Sequence, residues 1–334
     1  MSAMSRLPLV TLYLSDRCNS RCVTCDYWRH GRSDVTLESI TRMLPEFEKL
    51  GTRTALISGG EPLLNPSWPA IAETLRARGI DLWLLTSGLS LAKHAARAAP
   101  LFQSITVSLD GTCAETYAAI RGLDAFEKVC EGVRAAVAAG ASVGIRVTLQ
   151  RANFRELPRF VVLARELGAR QVSFLAVDVS NPHAFARLEE FSHGLALRDE
   201  DLPVLDDLLE SLEREHADDF RRRFIAESPL KLRGLRAYFA ALLQRGKFPP
   251  VRCNAPEFSA IVGVDGRVAP CFFIPGPALG SSATGLAAAL ESQPMVDLRR
   301  AIRAGERREC ERCVCSMWRD LGRHETVFTL EGAA

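Results

Sequence analysis

The chain has 334 residues, of which 47% are apolar and 25% charged, with a formal net charge of +2. That is the profile of a soluble globular protein with enough apolar residues for a sizeable core. The near-neutral balance gives no electrostatic case for a nucleic-acid or membrane partner. No apolar run reaches transmembrane length, and the start, MSAMSRLPLVTLYLSD, enters a short strand without a cleavable apolar region. Ten cysteines in such a chain predict a reducing, cytoplasmic setting in which thiols bind metal or catalyse rather than pair.

Along the chain, short β-rich runs alternate with amphipathic helical stretches. The predicted strands are 8–14, 53–58, 80–86, 104–110, 142–150 and 171–177. Between them, TLESITRMLPEFEKLG has Thr36 as its N-cap and Gly51 as its stop, and WPAIAETLRARG ends at Gly79. AFEKVCEGVRAAVAAG and FRELPRFVVLARELG also close on glycine. The alternation predicts βαβ units and an α/β fold with a parallel sheet, either doubly wound or an incomplete barrel. From about 183 to 250 the sequence turns helical and highly charged, the pattern of a solvated face joining two domains or of a lid or substrate-binding insert. Pro249-Pro250 then precedes a cysteine-bearing segment. The expected division is 1–182, 183–250, 251–320 and a tail, 321–334.

Three cysteines follow the first strand as C-x3-C-x2-C: Cys18, Cys22 and Cys25. A structural zinc site wants four ligands, and His30 reaches this set only through a tight turn at Tyr27 and Trp28. Three thiolates on one loop suit an iron–sulfur cubane with one iron left open. The run sits at the carboxyl end of a strand, where parallel α/β folds gather their active sites. The second strand ends in GGEP: Gly59 and Gly60 free the backbone to approach a ligand, Glu61 supplies a carboxylate and Pro62 fixes the turn.

These residues resemble the radical S-adenosylmethionine (SAM) enzymes. The resemblance implies a partial (β/α)6 TIM-like barrel. It makes Cys18, Cys22 and Cys25 the ligands of a 4Fe–4S cluster whose open iron chelates SAM, and it sets Gly59, Gly60 and Glu61 against the methionyl amine. TSG at 86–88 and VSLDG at 107–111 look like the family's third and fourth strand ends. Ser108 and Asp110 share a face, with Ser108 toward the ribose; Arg146, Thr148 and Gln150 share a face of the fifth strand, with Arg146 toward the SAM carboxylate. One departure is Thr24, where the family usually has an aromatic residue before the third cysteine, beside the adenine; here Tyr27 and Trp28 follow the cysteines instead.

The C-terminal segment holds Cys253, Cys271, Cys310, Cys313 and Cys315. SAIVGV and RVAPCFF form a predicted hairpin through Asp265-Gly266. Spacing alone leaves zinc and iron–sulfur both open here. The pattern is similar to the SPASM and twitch extensions of the same enzymes, and it implies the shorter twitch form with one auxiliary 4Fe–4S cluster. Its expected ligands are Cys253, Cys271, Cys310 and Cys313, with Cys315 as rival for the last place. Cys113 and Cys130 are expected to be structural, and no histidine pair has metal-ligand spacing.

The implied activity is reductive cleavage of SAM to a 5′-deoxyadenosyl radical and hydrogen abstraction from a substrate C–H bond. An auxiliary cluster bound by four thiolates then accepts an electron, giving net oxidation or bond formation. An electron donor such as flavodoxin or ferredoxin is implied. The first strand begins by residue 8, leaving no domain to grip a leader peptide, which favours a small molecule over peptide maturation. The ending Glu-Gly-Ala-Ala lacks the terminal Gly-Gly of a molybdopterin-precursor cyclase. Two other classes remain: a zinc-stabilised binding protein and an electron carrier, neither of which gives Glu61 a task.

Overall fold

The computed structural model describes residues 4, 6–181, 184–187, 194–274 and 285–319. The 321–334 tail and residues 275–284 of the C-terminal segment lie outside the described residues. Among those described, no helix is long and apolar enough to cross a membrane.

All six anticipated strands form: β1 Leu9–Ser15, β2 Thr54–Gly59, β3 Asp81–Thr86, β4 Ser104–Ser108, β5 Val143–Leu149 and β6 Gln171–Ala176. Each pairs in parallel with the next, as chain-order βαβ crossovers dictate. Helices Leu37–Lys49, Trp68–Ala77, Leu91–Ala98, Phe126–Ala138 and Leu157–Glu166 lie between strands. The first is capped as read, with the Thr36 hydroxyl accepting from Ser39 N at 3.1 Å.

The anticipated hairpin forms as β7 Ser259–Val262 and β8 Val268–Ala269, turning through Gly266 at φ 79°. It is not detached from the barrel. Leu9 to Leu12 of β1 pair in parallel with Ser259 to Val262 of β7, making one eight-stranded sheet in the order β6-β5-β4-β3-β2-β1-β7-β8. Local periodicity carries no sign of this pairing, because β7 follows β1 by some two hundred and fifty residues.

Strand alternation sorts the side chains into two cores. The outward set, including Leu12, Ile57, Leu84, Val107, Ile145 and Phe174, packs under the helices. The inward set, Leu9, Leu56 and Trp83, meets Ala255, Phe258, Cys253, Phe272 and Met317, so the second cysteine segment lines the barrel interior.

The charged stretch is amphipathic. Its outer face carries exposed ion pairs, Arg236 with Asp206 at 2.8 Å and Arg233 with Glu213. Leu232, Leu235, Tyr238 and Phe239 of the helix Pro229–Leu242 are buried. Ahead of that helix, Ile225 bridges in parallel to Val172 and covers the open edge of β6.

Candidate functional site

The cysteine loop leaves β1 at Ser15 and is tied down at both ends. Asp16 N donates to Ser33 O at 3.1 Å, and Arg17 pairs with Asp34 at 2.5 Å while donating to Leu64 O at 2.7 Å. From beneath, Gly60 N donates to Ser15 O and Glu61 N to Arg17 O, each at 2.7 Å. A Cβ on Gly59 would lie 2.2 Å from the Ser15 oxygen, and one on Gly60 would lie 2.3 Å from the Arg17 oxygen. What the glycines admit so closely is the backbone of the cysteine loop itself. Gly60→Ala is expected to cost about 3 kcal/mol through that overlap and to lower iron uptake, checked by denaturant unfolding and iron content.

Within the loop, Cys22 is buried and Cys18 and Cys25 are half-buried. Burial is the main cause that pushes Cys18 up to about 11 and Cys25 up to about 12, and the Cys22 sulfur adds to both. Free thiols so placed stay protonated at neutral pH, the reverse of a reactive nucleophile, whereas a coordinated cation deprotonates them outright. Arg121 Nη1 donates to Cys22 Sγ at 3.0 Å and Nη2 to Ser108 O at 2.9 Å, with Nε 3.3 Å from Asp110 Oδ2. Burial opposes this guanidinium's charge, but Cys22 and Asp110 raise its pKa overall. Sequence reading missed Arg121, which looks like any helix-end arginine until the helix Ala114–Arg121 meets the loop ninety-nine residues back. The backbone confirms that contact: Arg21 N donates to Arg121 O and Val23 N to Ile120 O, at 2.9 and 3.0 Å.

Glu61 corrects an expectation. Its carboxylate does not stand free beside the cysteines. It is fully buried and accepts from Leu63 N at 3.1 Å, from Thr86 Oγ1 at 2.9 and 3.0 Å, and from Ser87 N and Oγ at 2.7 Å each. Burial raises its pKa against those hydrogen bonds. The carboxylate thus ties the end of β2 to the TSG turn, and only the backbone of 59–61 is left to meet a ligand. Asn19 completes the unit: its Oδ1 accepts from Ser87 Oγ and its Nδ2 donates to Ser90 Oγ, both at 3.1 Å.

Ser108 and Arg146 are register partners on β4 and β5. The Arg146 Nε is buried and has no hydrogen-bond partner among the described residues. Its charge acts on Cys315 and on Glu227, while Arg121 is the cation acting on Cys18 and Cys25. Asp110 accepts from Thr148 N at 2.7 Å, so its carboxylate serves the strand ends and Arg121. Tyr27 turns inward, its ring edge-on to Tyr13 at 6.0 Å. Tyr13 in turn stacks on Phe272 at 6.4 Å. Burial is the main cause that raises the Tyr13 phenol well above its ordinary value, and both Cys25 and Cys271 contribute.

The second thiol set gathers around Cys253. Cys271 feels Cys310 and Cys253, Cys310 feels Cys253, and Cys313 feels Cys315, Cys253 and Cys271. Cys315 belongs to the same set: burial raises its thiol, Arg146 is the first charge acting on it, and Cys253 and Lys231 follow. Its backbone N donates to Cys313 Sγ at 3.3 Å. Asn254, also missed from sequence, staples this segment beside Cys253: its N donates to Met317 O at 3.0 Å, and its side chain exchanges hydrogen bonds of 2.7 and 2.8 Å with the Arg319 backbone. Among the described residues no three His, Cys, Asp or Glu side chains converge as a single ion requires. Both donor sets are all-thiol, the chemistry of iron–sulfur ligation. Cys130 packs in the main core, and Cys113 precedes the helix Ala114–Arg121.

Comparison with known proteins bears on both regions. The profile of the radical SAM superfamily matches residues 12–164, and that of the SPASM iron–sulfur cluster-binding domain matches 253–314. An AdoMet-dependent heme synthase of Methanosarcina barkeri is 32% identical over 181 residues, 51% of this chain and 50% of that protein. GTP 3′,8-cyclase 1 of Mycobacterium tuberculosis is 32% identical over 221 residues, 61% of this chain and 58% of the cyclase. The chain thus spans little more than half the length of these relatives. Among solved structures, Streptococcus suis SuiB with precursor peptide SuiA superposes with a TM-score of 0.66 at 13% identity, covering 94% of this chain and 72% of that one. AnSMEcpe with bound AdoMet gives 0.65 at 19% identity, covering 92% and 85%; at such identities both share the fold. Radical SAM domains bind SAM and a 4Fe–4S cluster, and SPASM domains bind further iron–sulfur clusters. On these matches residues 12–164 are a radical SAM domain and residues 253–314 a SPASM-type iron–sulfur cluster-binding domain.

Proposed function

We propose that the chain cleaves SAM reductively and oxidises, or joins by a new bond, a small-molecule substrate. Cys18, Cys22 and Cys25 would hold the SAM-cleaving 4Fe–4S cluster; Cys253, Cys271, Cys310 and Cys313 would hold one auxiliary cluster. The observation that carries this reading is the hydrogen-bonded unit in which the GGEP backbone is pinned directly beneath the three-thiol loop. When bound, the first cluster supplies one-electron cleavage of SAM and, through it, hydrogen abstraction from a C–H bond.

The chain's own residues hold and orient. Arg121 neutralises charge on Cys22 and keeps that sulfur hydrogen-bonded. The backbone of Gly59, Gly60 and Glu61 is directed to the SAM amine, Ser108 to the ribose, and the unused Arg146 donor to the SAM carboxylate. Cys315, which lines the same interior space as Cys271, is the rival for the last place in that set. A small substrate is favoured by two relatives at 32% identity, named as a heme synthase and a GTP cyclase. Electron delivery by a flavodoxin- or ferredoxin-type donor and a cytoplasmic setting complete the reading.

The test is anaerobic reconstitution followed by iron and sulfide analysis and a SAM-cleavage assay. Roughly eight irons with 5′-deoxyadenosine formed under reduction is the expected result; zinc in place of iron would overturn it.

A further inference from the structure

Inside the barrel lies a cavity of about 120 Å3 that borders Arg146 on one side and Cys271 and Cys315 on another. One wall is apolar, with Leu9, Leu56, Trp83 and Phe272; the other carries Arg146, Glu227 and Lys231. Glu227 enters from the insert, just past the bridge of Ile225 to β6, and is buried. Its carboxylate is anchored by Ser173 Oγ at 3.1 Å and Phe174 N at 2.8 Å.

Lys231 sits in the first turn of the helix Pro229–Leu242, next to the Ser228 cap. A cation there opposes the helix dipole. Among the described residues no carboxylate is close enough to pair with it, and Glu227 acts on it only at longer range. Arg146, across the cavity, also keeps a buried Nε without a partner among the described residues. With Arg146 directed to the SAM carboxylate, Lys231 is the cation left beside Glu227 in a partly apolar space. A half-buried ammonium with no close carboxylate among the described residues can form a charge-assisted hydrogen bond to an anionic group.

We propose that this cavity binds the substrate by a carboxylate held on Lys231, while Glu227 accepts a hydrogen bond from an amine or hydroxyl on the neighbouring carbon. The ligand class is an α-amino or α-hydroxy acid, either free or as a peptide C-terminus. Its assignment as substrate rests on the enzyme reading above.

The experiment is calorimetric titration of the reconstituted, SAM-loaded protein with L-serine, L-serinamide, lactate, lactamide and propionate, and with Gly-Gly-Ser as acid and as amide. Acids are expected to bind at least about tenfold more tightly than their amides. Lys231→Met should erase that preference, and Glu227→Gln should erase the advantage of serine and lactate over propionate. Binding of the free acids alone would assign a small-molecule ligand; binding of the tripeptide acid as well would assign a peptide terminus. Equal binding of acid and amide, no binding by either, or a preference surviving Lys231→Met would overturn the proposal. SAM cleavage is assayed in parallel on the unaltered protein. Its absence would strike the enzyme reading and leave the binding result standing.

Discussion

Replacing Cys18, Cys22 and Cys25 together by alanine is expected to abolish 5′-deoxyadenosine formation and to lower iron from roughly eight to roughly four per chain. The loop is held by backbone and by Arg17–Asp34, Asn19–Ser87 and the Gly60 and Glu61 amides, none of which needs a thiol. The variant should therefore fold. Its second thiol set is built on other elements, around Cys253 and the Asn254 staple, and should keep its iron. Iron falling to near zero would mean that the two sets are not independent; cleavage surviving in the variant would sink the ligand assignment.

Arg121→Met is expected to have the next largest effect, a loss of about 3–5 kcal/mol of stability. The Arg121 and Asp110 side chains are only 11% and 5% exposed, so removing the cation leaves a buried carboxylate unpaired. Asp110→Asn in the Arg121→Met background should recover much of the loss, because Asn Oδ1 can still accept from Thr148 N. What the pair cannot restore is the donor on Cys22. Hydrogen bonds and positive charge at cluster sulfurs raise reduction potential, so the reconstituted double variant should show a more negative midpoint for its first cluster in an EPR-monitored redox titration. An unchanged potential would confine Arg121 to a structural part.

Six strands, the Thr36 cap and the Asp265-Gly266 hairpin were legible because each is written in local periodicity or turn chemistry. The three-cysteine loop and GGEP were legible because their spacing is short. What stayed hidden depends on register between distant segments. GGEP announces a carboxylate, but only the pairing of β2 with β3 sets Thr86 and Ser87 where they consume it. Arg121, Asn254 and Glu227 gain their roles across 99, 65 and 54 residues respectively. Charge counting read the insert as a solvated face; its ion-paired side fits that reading, while Glu227 turns inward at the edge of β6.

The pairing of β1 with β7 also sets an order of events during synthesis. Leu9 meets Ser259, so the hydrogen-bonding edge of the first strand has no native partner until some 250 further residues have been made. At ribosomal rates of about 5–20 residues per second, that edge waits roughly 12 to 50 s. Contacts of such long sequence separation form slowly, and an unsatisfied apolar strand edge invites association with other chains. Because β1 launches the first thiol loop and β7 lies beside the second set, neither site acquires its final frame before this late closure. Completion of both thiol sites is thereby coupled to the end of folding, and chains truncated before residue 262 should be prone to aggregate even though every residue of the three-cysteine loop is already present.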